Sequence, residues 1–457
     1  MTIEDEAVRH AGAPPERARS GGATAASAGA GSPGVAPTPP RRFYPQLEGM
    51  RALAALGVLT THVAFQTGAV RWPVLGPIFG RLDLAVALFF ALSGFLLWRP
   101  WAAAAHASTP RPRVRRYLRH RVVRIWPAYL VVVVIVLLLL PEARSAGVGT
   151  WVANLTLTQV FVPLSLTAGL TQMWSLSVEV AFYALLPILG TALVRLRGSW
   201  SRWRVPLLAA VGLASLGWAW VAAALPVPGG VEPTNWVFGH LSWFVAGLLL
   251  AEVAAAAGVI GAAGAGASSA HDSRAHRLLV AAGSHRWLMA GVFVISYGLA
   301  CTPLAGPTGL GVLSSWQFAV KMALGAVCAF ALLAPLITGT GPFRFLTSPV
   351  MLALGRWSYG IFIWHVAVLA IVFPLFGIVP FAGDTVLVWL LTVVLTVGLS
   401  AASYAFIEEP ARAWLRRREA ARHATREASS PQVSALQASA PQASAPQESM
   451  RQATDRN

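Results

Sequence analysis

The sequence predicts an all-α integral membrane protein, a polytopic helical bundle of about ten transmembrane helices with both termini in the cytoplasm. The 457-residue chain is 56% hydrophobic and only 12% charged, roughly half the charged fraction of soluble domains. Apolar runs long enough to cross a bilayer recur from residue 52 to about residue 407. Arginines cluster beside these runs, as expected of residues that set membrane topology.

The two ends of the chain differ from its middle. Residues 1–42 are rich in Ala, Gly, Pro and Arg and lack the apolar h-region of a cleavable signal, so we predict a disordered cytoplasmic tail. Residues 414–457 contain a basic flank and the low-complexity repeat "QASAPQASAPQ", which predict a disordered C-terminal tail. Residues 43–413 are left as the predicted membrane domain.

The membrane domain is predicted to contain ten helices, one short re-entrant or interfacial segment and one flexible loop. The candidate helices lie near residues 47–66, 83–99, 122–140, 174–196, 205–224, 237–257, 286–302, 316–337, 352–374 and 384–407. The short apolar segment near 150–164 is predicted to be re-entrant or interfacial. The low-complexity stretch "AGVIGAAGAGASSAHDSRAHR" is predicted to be a flexible loop between the sixth and seventh helices.

The formal charge of +17 indicates membrane topology and not nucleic-acid binding. With the N-terminus inside, the even-numbered loops and the C-terminal flank hold nearly all the arginines, and the segment "RPRVRRYLRHRVVR" (111–124) is the most basic. This orientation places both tails in the cytoplasm. The two cysteines, Cys301 and Cys328, show no metal-ligand or CxxC spacing and are read as core residues.

The stretch "RALAALGVLTTH" begins with Arg51 and ends with His62. On a helix these side chains share a face about 16 Å apart along the axis. Arg51 alone fits a boundary arginine that reaches the membrane surface. A histidine deep in a span is a functional hypothesis by default, because burying it is unfavourable.

Six motifs give the chain a specific resemblance. They are, in order, "LEGMRALAALGVLTTH", "LFFALSGFLL", "RYLRHRVVRIWPAYL", "MWSLSVEVAFYALLP", "LGRWSYGIFIWH" and "SYAFIEEPAR", between about residues 44 and 413. Together they resemble the membrane acyltransferase-3 family, which O-acylates cell-surface glycans and some secreted natural products. The resemblance implies a multi-pass protein of the inner (plasma) membrane.

The same resemblance implies the reaction partners. Acyl-CoA, most simply acetyl-CoA, would be the co-substrate, and the acceptor would be a carbohydrate, a glycolipid or a natural product. No permanently bound cofactor, metal site or nucleic-acid partner is expected. The oligomeric state, the acyl chain length and the identity of the acceptor stay open.

The family's arginine-ten-residues-histidine signature falls on Arg51 and His62. A neutral imidazole suits the removal of a hydroxyl proton near pH 7, so His62 is the candidate general base. Glu179 opens a helix that descends from the outside, which predicts that it lies at the depth of His62 and orients its ring. The alternative for Glu179 is a structural ion pair within the bundle.

The sequence departs from the family pattern at two acidic positions. Val180 stands where the family often has a second acid, and Ala87 stands where it often has Asp before the paired Phe. Asp83 lies four residues before Ala87, on the same helical face, and is predicted to replace that acid. The candidate catalytic residues are therefore His62, with Glu179 or Asp83 as its acidic partner.

The donor site is predicted on the basic side. The residues proposed to contact acyl-CoA are Arg51, Ser93, Gly94, Arg116, Arg119, Arg121 and Arg124. Guanidinium groups bind phosphate in a bidentate fashion, and Arg121 and Arg124 match the family's "RxxR" position. The alternatives are a purely topological role for segment 111–124 and mere helix packing for Gly94. His365 is predicted to make a structural hydrogen bond, and His240 and Glu252 have no assigned role.

Two other classes of function compete with the enzyme. A transporter or flippase of a lipid-linked sugar or acyl group would do no chemistry, and internal repeats would be its expected sign. No convincing repeat relates residues 44–225 and 237–413. A catalytically silent scaffold would have little use for Arg51, His62 and Glu179. The sequence therefore favours an O-acyltransferase.

Overall fold

A computed structural model describes residues 44–106, 110–263, 281, 283–309, 311–339 and 341–428. Its helices, numbered in chain order, are α1 Pro45–Thr67, α2 Leu75–Arg81, α3 Ala85–His106, α4 Val114–Leu139, α5 Val148–Leu155, α6 Trp174–Leu193, α7 Arg204–Leu216, α8 Trp218–Ala224, α9 Val237–Ala263, α10 Arg286–Ala300, α11 Ser315–Thr338, α12 Pro349–Phe376, α13 Thr385–Ser403 and α14 Glu409–Ala428. No strand occurs in these ranges, so the predicted all-α polytopic bundle is confirmed. The predicted N-terminal tail, most of the low-complexity loop and the end of the C-terminal tail lie outside the described residues.

The helices that can span a membrane follow the apolar segments of the sequence. Among the described residues seven helical stretches are long and apolar enough, or eight if α7 and α8, which meet at a 44° bend, form one span. Each of the ten predicted segments coincides with a helix or, for 205–224, with that bent pair. Helix α1 and the fifteen-residue α10 fall outside the set of seven. The span number of ten and the cytoplasmic location of the termini stay predictions.

Two helices extend beyond their predicted limits into arginine-rich segments. Helix α4 begins at Val114, eight residues before the apolar run, so most of the basic segment is itself helical. Helix α13 continues through a π-helical turn, Tyr404–Glu408, into α14, so the C-terminal flank is helical as far as Ala428. Hydropathy marks the part of a helix that lies in lipid, and both extensions are rich in arginine.

Glycines allow two pairs of helices to pack closely. A Cβ atom added at Gly355 of α12 would lie 2.2 Å from the carbonyl oxygen of Glu48 in α1. A Cβ atom at Gly94 of α3 would lie 2.3 Å from the carbonyl oxygen of Phe244 in α9. Any side chain larger than hydrogen would force these backbones apart. The contact at Gly94 supports the packing alternative for that residue.

The start of α1 and the C-terminal helix lie at the same end of the bundle. Thr385, which begins α13, donates a hydrogen bond to Thr67 at the end of α1. Helix α13 therefore runs back along α1 and delivers α14 to the end where α1 starts. There Glu419 of α14 pairs with Arg116 and Arg119 of α4. We call this the basic end, and the other the opposite end.

The connection between α4 and α6 folds back into the bundle. Its buried amides bond to backbone carbonyls, Asn154 to Ser165 and Gln159 to Met173. Gln172 donates from Nε2 to the carbonyl oxygen of Ile363, at the middle of α12, over 3.1 Å. Helix α6 thus begins inside the bundle, whereas the re-entrant or interfacial character of segment 150–164 stays a prediction.

Candidate active site

A narrow cavity lies between α1, α3, α6 and α12. Its polar lining consists of Arg51, Ser93, Ser175, Glu179, Ser358 and Tyr359. Its apolar lining consists of Val86, Phe89, Phe90, Leu92, Leu176 and Phe362. The cavity extends from Arg51, near the start of α1, to Val86, near the start of α3, and so from the basic half of the bundle towards the opposite half. Three residues of the predicted site therefore meet here, namely Arg51, Ser93 and Glu179.

Hydrogen bonds fix the polar side chains of this cavity. The Glu179 carboxylate accepts a hydrogen bond from the Ser93 hydroxyl and one from the Tyr183 hydroxyl over 2.7 Å. Arg51 donates from Nε to the buried Ser358 hydroxyl at 3.3 Å, and Arg51 and Glu179 lie within electrostatic range of each other. One carboxylate and one guanidinium thus face the same polar space.

The structure places Glu179 far from His62. Ala85 packs on Gly57, a Cβ atom there lying 3.2 Å from that of Ala85. From this level Ser93, the partner of Glu179, lies eight residues towards the basic end, and His62 lies five residues the other way. At 1.5 Å per residue the two levels are roughly 20 Å apart. The expectation that Glu179 lies at the depth of His62 is therefore wrong, because α6 starts inside the bundle and not at its outer surface.

A pair of imidazoles lies beyond the cavity, towards the opposite end of the bundle. The ring centroids of His62 and His365 are 5.1 Å apart. His365 is fully buried and donates from Nδ1 to the carbonyl oxygen of Phe362 over 2.7 Å. A carbonyl oxygen can only accept, so Nδ1 carries the proton and a neutral ring leaves Nε2 as an acceptor. That Nε2 is buried and makes no hydrogen bond among the described residues.

Asp83 lies beside this pair. Thr61, next to His62 in the chain, donates to the carbonyl oxygen of Gly80 at 3.1 Å, and with the Gly57 contact to Ala85 this brackets the Asp83 turn against α1. Asp83 is also the acidic side chain whose field acts on His62. Of the two predicted acids, the structure therefore brings Asp83 and not Glu179 to the histidine.

The four predicted donor-site arginines of α4 divide into two pairs. Arg116 and Arg119 both bond the carboxylate of Glu419, which also contacts His120 at 3.1 Å. Arg121 instead stacks over the Tyr183 ring at 5.9 Å, and Arg124 lies within electrostatic range of Arg51. The second pair therefore lies near Tyr183 and Arg51, on the side of the cavity, and the first pair is already matched by a carboxylate.

A buried polar network lies at the basic end, away from the cavity. Glu252 of α9 accepts from Trp98 of α3 at 2.8 Å, contacts His106 at 2.9 Å and pairs with Arg204 of α7 at 3.6 Å. These side chains join three helices. The sequence marks Glu252 as an intramembrane acid, but its partners come from distant parts of the chain. No group of three metal-ligating side chains occurs in the described part of the chain.

Comparison with known proteins identifies the family of the chain. A family model described as an acyltransferase domain matches residues 44–405. Acyltransferase MdmB of Streptomyces mycarofaciens is 35% identical over 168 residues, a region that covers 33% of this chain and 40% of the relative. No solved structure is significantly similar to the chain. Because the family model covers most of its length, the chain belongs to the acyltransferase-3 family.

Proposed function

We propose that this chain is an integral membrane O-acyltransferase that moves an acyl group from acyl-CoA to a hydroxyl group of a cell-surface glycan, a glycolipid or a secreted natural product. One observation carries the proposal. Arg51 and His62 lie on one helix, Arg51 in the cavity that also holds Glu179 and His62 with His365 and Asp83 beyond the other limit of that cavity. The family and the name of the relative support acyl transfer as the reaction class.

The donor is proposed to enter from the basic end. Arg121 and Arg124 are the better candidates for the phosphates of coenzyme A, because Glu419 already occupies Arg116 and Arg119. The pantetheine arm would follow the cavity past Ser93 and Arg51, which lie about 20 Å and about 16 Å from His62 along the bundle. Acetyl-CoA is the simplest donor. No other bound cofactor is required.

The transfer needs one base, which takes a proton from the acceptor hydroxyl and returns it to the coenzyme A thiolate. Neutral His62 takes the proton of the acceptor hydroxyl as its oxygen attacks the thioester carbonyl carbon. The carbon–sulfur bond breaks, the ester forms, and the departing coenzyme A thiolate recovers the proton from the imidazolium. The Asp83 carboxylate stabilises that imidazolium through its field. A route through an acyl-enzyme on His62 or a serine gives the same overall reaction.

The acceptor is proposed to approach from the opposite end, where His62 is partly exposed. If the basic end lies on the cytoplasmic side of the plasma membrane, the opposite end faces the cell exterior or the periplasm. A surface sugar or an exported natural product would then meet an acyl group supplied from the cytoplasm. The bilayer separates the two substrates, and the bundle joins them.

The test uses the full chain in nanodiscs with acetyl-labelled acetyl-CoA and two acceptors, an N-acetylglucosamine tetramer and a macrolide with free hydroxyl groups. We expect label in an ester of one acceptor together with release of the coenzyme A thiol. His62→Ala should lower the rate about 10²-fold or more while the protein still inserts and stays monodisperse. His285→Ala, an exposed histidine outside the site, is the control.

The competing function is transport without chemistry, and the same preparation distinguishes it. In liposomes a flippase would move a lipid-linked acceptor across the bilayer without thiol release, and His62→Ala would leave that movement unchanged. This result would overturn the enzymatic proposal.

A further inference from the structure

Lys321 is the single lysine of the chain, and it lies within a span. It belongs to α11, six residues after Ser315. Its ammonium contacts Asp83 Oδ2 at 2.6 Å, and its side chain is 18% exposed. A lysine inside a membrane helix is unfavourable unless it is paired, which makes it a functional hypothesis. Neither the proposed chemistry nor the family motifs quoted above use this residue.

The other cation near Asp83 is held elsewhere. Arg81 is almost fully buried and donates from Nη2 to the carbonyl oxygen of Gly306 at 2.6 Å. Tyr297 and Cys301, which also lie near Asp83, are neutral donors, and the Tyr297 hydroxyl bonds to the carbonyl oxygen of Ile78. Lys321 is therefore the cation that contacts the Asp83 carboxylate.

The ion pair with Lys321 uses only one of the two carboxylate oxygens of Asp83. Lys321 holds Oδ2, whereas Oδ1 is buried and makes no hydrogen bond with the described residues. The Asp83 turn is bracketed against α1 by the Thr61 bond to Gly80 and by the packing of Gly57 on Ala85. A carboxylate fixed in this way lies beside the segment that carries His62 and keeps one oxygen without a partner among the described residues.

We propose that Lys321 is a positioning residue for acyl transfer: it pins the Asp83 carboxylate beside His62, so that the charge that stabilises the imidazolium is in place before the acceptor arrives. This inference rests on the proposed function. Without the ammonium, the Asp83 carboxylate, whose side chain is 36% exposed, would lose its partner and turn towards the aqueous side. Preorganised charge is the form in which electrostatic stabilisation is most effective.

The proposal predicts a specific kinetic pattern in the acetyl-CoA assay. Lys321→Met and Asp83→Asn should each lower kcat about 10- to 100-fold and leave the KM for acetyl-CoA within about twofold, because the donor arginines lie at the other end. The double variant should be no slower than Asp83→Asn alone, since both changes remove one interaction. Lys321→Arg should recover most of kcat. Arg416→Met, which breaks the exposed pair with Glu409, is the matched control.

A charge swap separates positioning from a simple tie between helices. The variant Asp83→Lys with Lys321→Asp restores the ion pair, so thermal stability should return to the wild-type value. It moves the carboxylate to α11, so kcat should stay low. Recovery of kcat by the swap, or wild-type kcat in Lys321→Met, would overturn the inference.

A second readout is independent of any acceptor. Diethyl pyrocarbonate modifies neutral imidazole, and peptide mass spectrometry measures its rate at His62 separately from His285. Lys321→Met should change the rate at His62 at least about twofold, with Lys321→Arg close to wild type and His285 unaffected. An unchanged His62 rate would count against Lys321. Absence of acetyl transfer by the wild type, or full activity of His62→Ala, would instead overturn the proposed function and leave this measurement to decide the role of Lys321.

Discussion

The imidazole of His62 makes no hydrogen bond with the described residues, whereas that of His365, 5.1 Å away, is anchored to the backbone. The ring nitrogens of His62 therefore stay available for a substrate, whereas the ring of His365 is held by the backbone. Catalytic hydrogen bonds often form only when the substrate is bound, so the lack of a hydrogen bond to His62 is compatible with its role as a general base. The predicted structural hydrogen bond of His365 is present, and its nearness to His62 is new.

The structure changes the expected effect of replacing Glu179, because this residue lies beside Arg51 and not beside His62. Glu179→Gln keeps the shape and still accepts hydrogen bonds from Ser93 and Tyr183, but it removes the charge that faces Arg51. We expect the half-saturating acetyl-CoA concentration to rise about tenfold, with kcat falling less than about threefold. Steady-state titration in nanodiscs measures both, and Tyr183→Phe, which keeps the charge, should have the smaller effect. A large loss of kcat alone would return Glu179 to a role at His62.

Helix α4 carries Arg116 and Arg119 towards Glu419, and Arg121 and Arg124 towards Tyr183 and Arg51. We therefore expect the two pairs to differ in their effect on acetyl-CoA binding. Arg121→Lys with Arg124→Lys keeps the positive charge and therefore the topology, but it loses the planar fork that binds phosphate. One charge-assisted hydrogen bond is worth about 1.5–3 kcal/mol, so half-saturating acetyl-CoA should rise about 10- to 150-fold. Arg116→Lys with Arg119→Lys should change it less. Equal half-saturation in all three proteins would leave only the topological role.

Helix α14 meets α4 through Glu419, which competes with any phosphate for Arg116 and Arg119. Glu419 is mostly buried, but Arg116 is 56% and Arg119 38% exposed, so the pair is worth no more than about 1 kcal/mol. Glu419→Gln should therefore lower half-saturating acetyl-CoA by up to about fivefold. The change should shrink at high salt, which screens exposed charges. A rise in half-saturation would mean that Glu419 positions these arginines instead of competing for them.

At the scale of the molecule, the direction of each helix predicts where reporters should be found. Helix α9 runs parallel to α3, since Phe244 meets Gly94 and Glu252 meets Trp98, and both start at the opposite end. A reporter inserted near residue 228 should therefore be external, whereas reporters near residue 265 and after residue 428 should be cytoplasmic. Accessibility to a membrane-impermeant thiol reagent at introduced cysteines measures this. An external C-terminus would reverse the direction in which the donor and the acceptor enter.

The sequence by itself determined the membrane class, the positions of the helices and the family. Hydropathy depends on local composition, so it located all ten segments, although α3 and α9 continue past their predicted ends. It could not locate the ends of α4 and α14, because an arginine-rich helix outside lipid has no hydropathy signal. Motif order identified Arg51, His62 and Glu179 as functional candidates, since those motifs are local strings.

Only the tertiary structure decided which candidates meet. Depth in a bundle depends on where a helix starts, and the chain between α4 and α6 folds inward, which carries Glu179 to the level of Arg51. Ion pairs across helices depend on packing, so nothing in the string relates Lys321 to Asp83, 238 residues away, or Glu419 to Arg116. Local composition determines where the helices form, whereas the packing of distant helices determines which charged side chains meet.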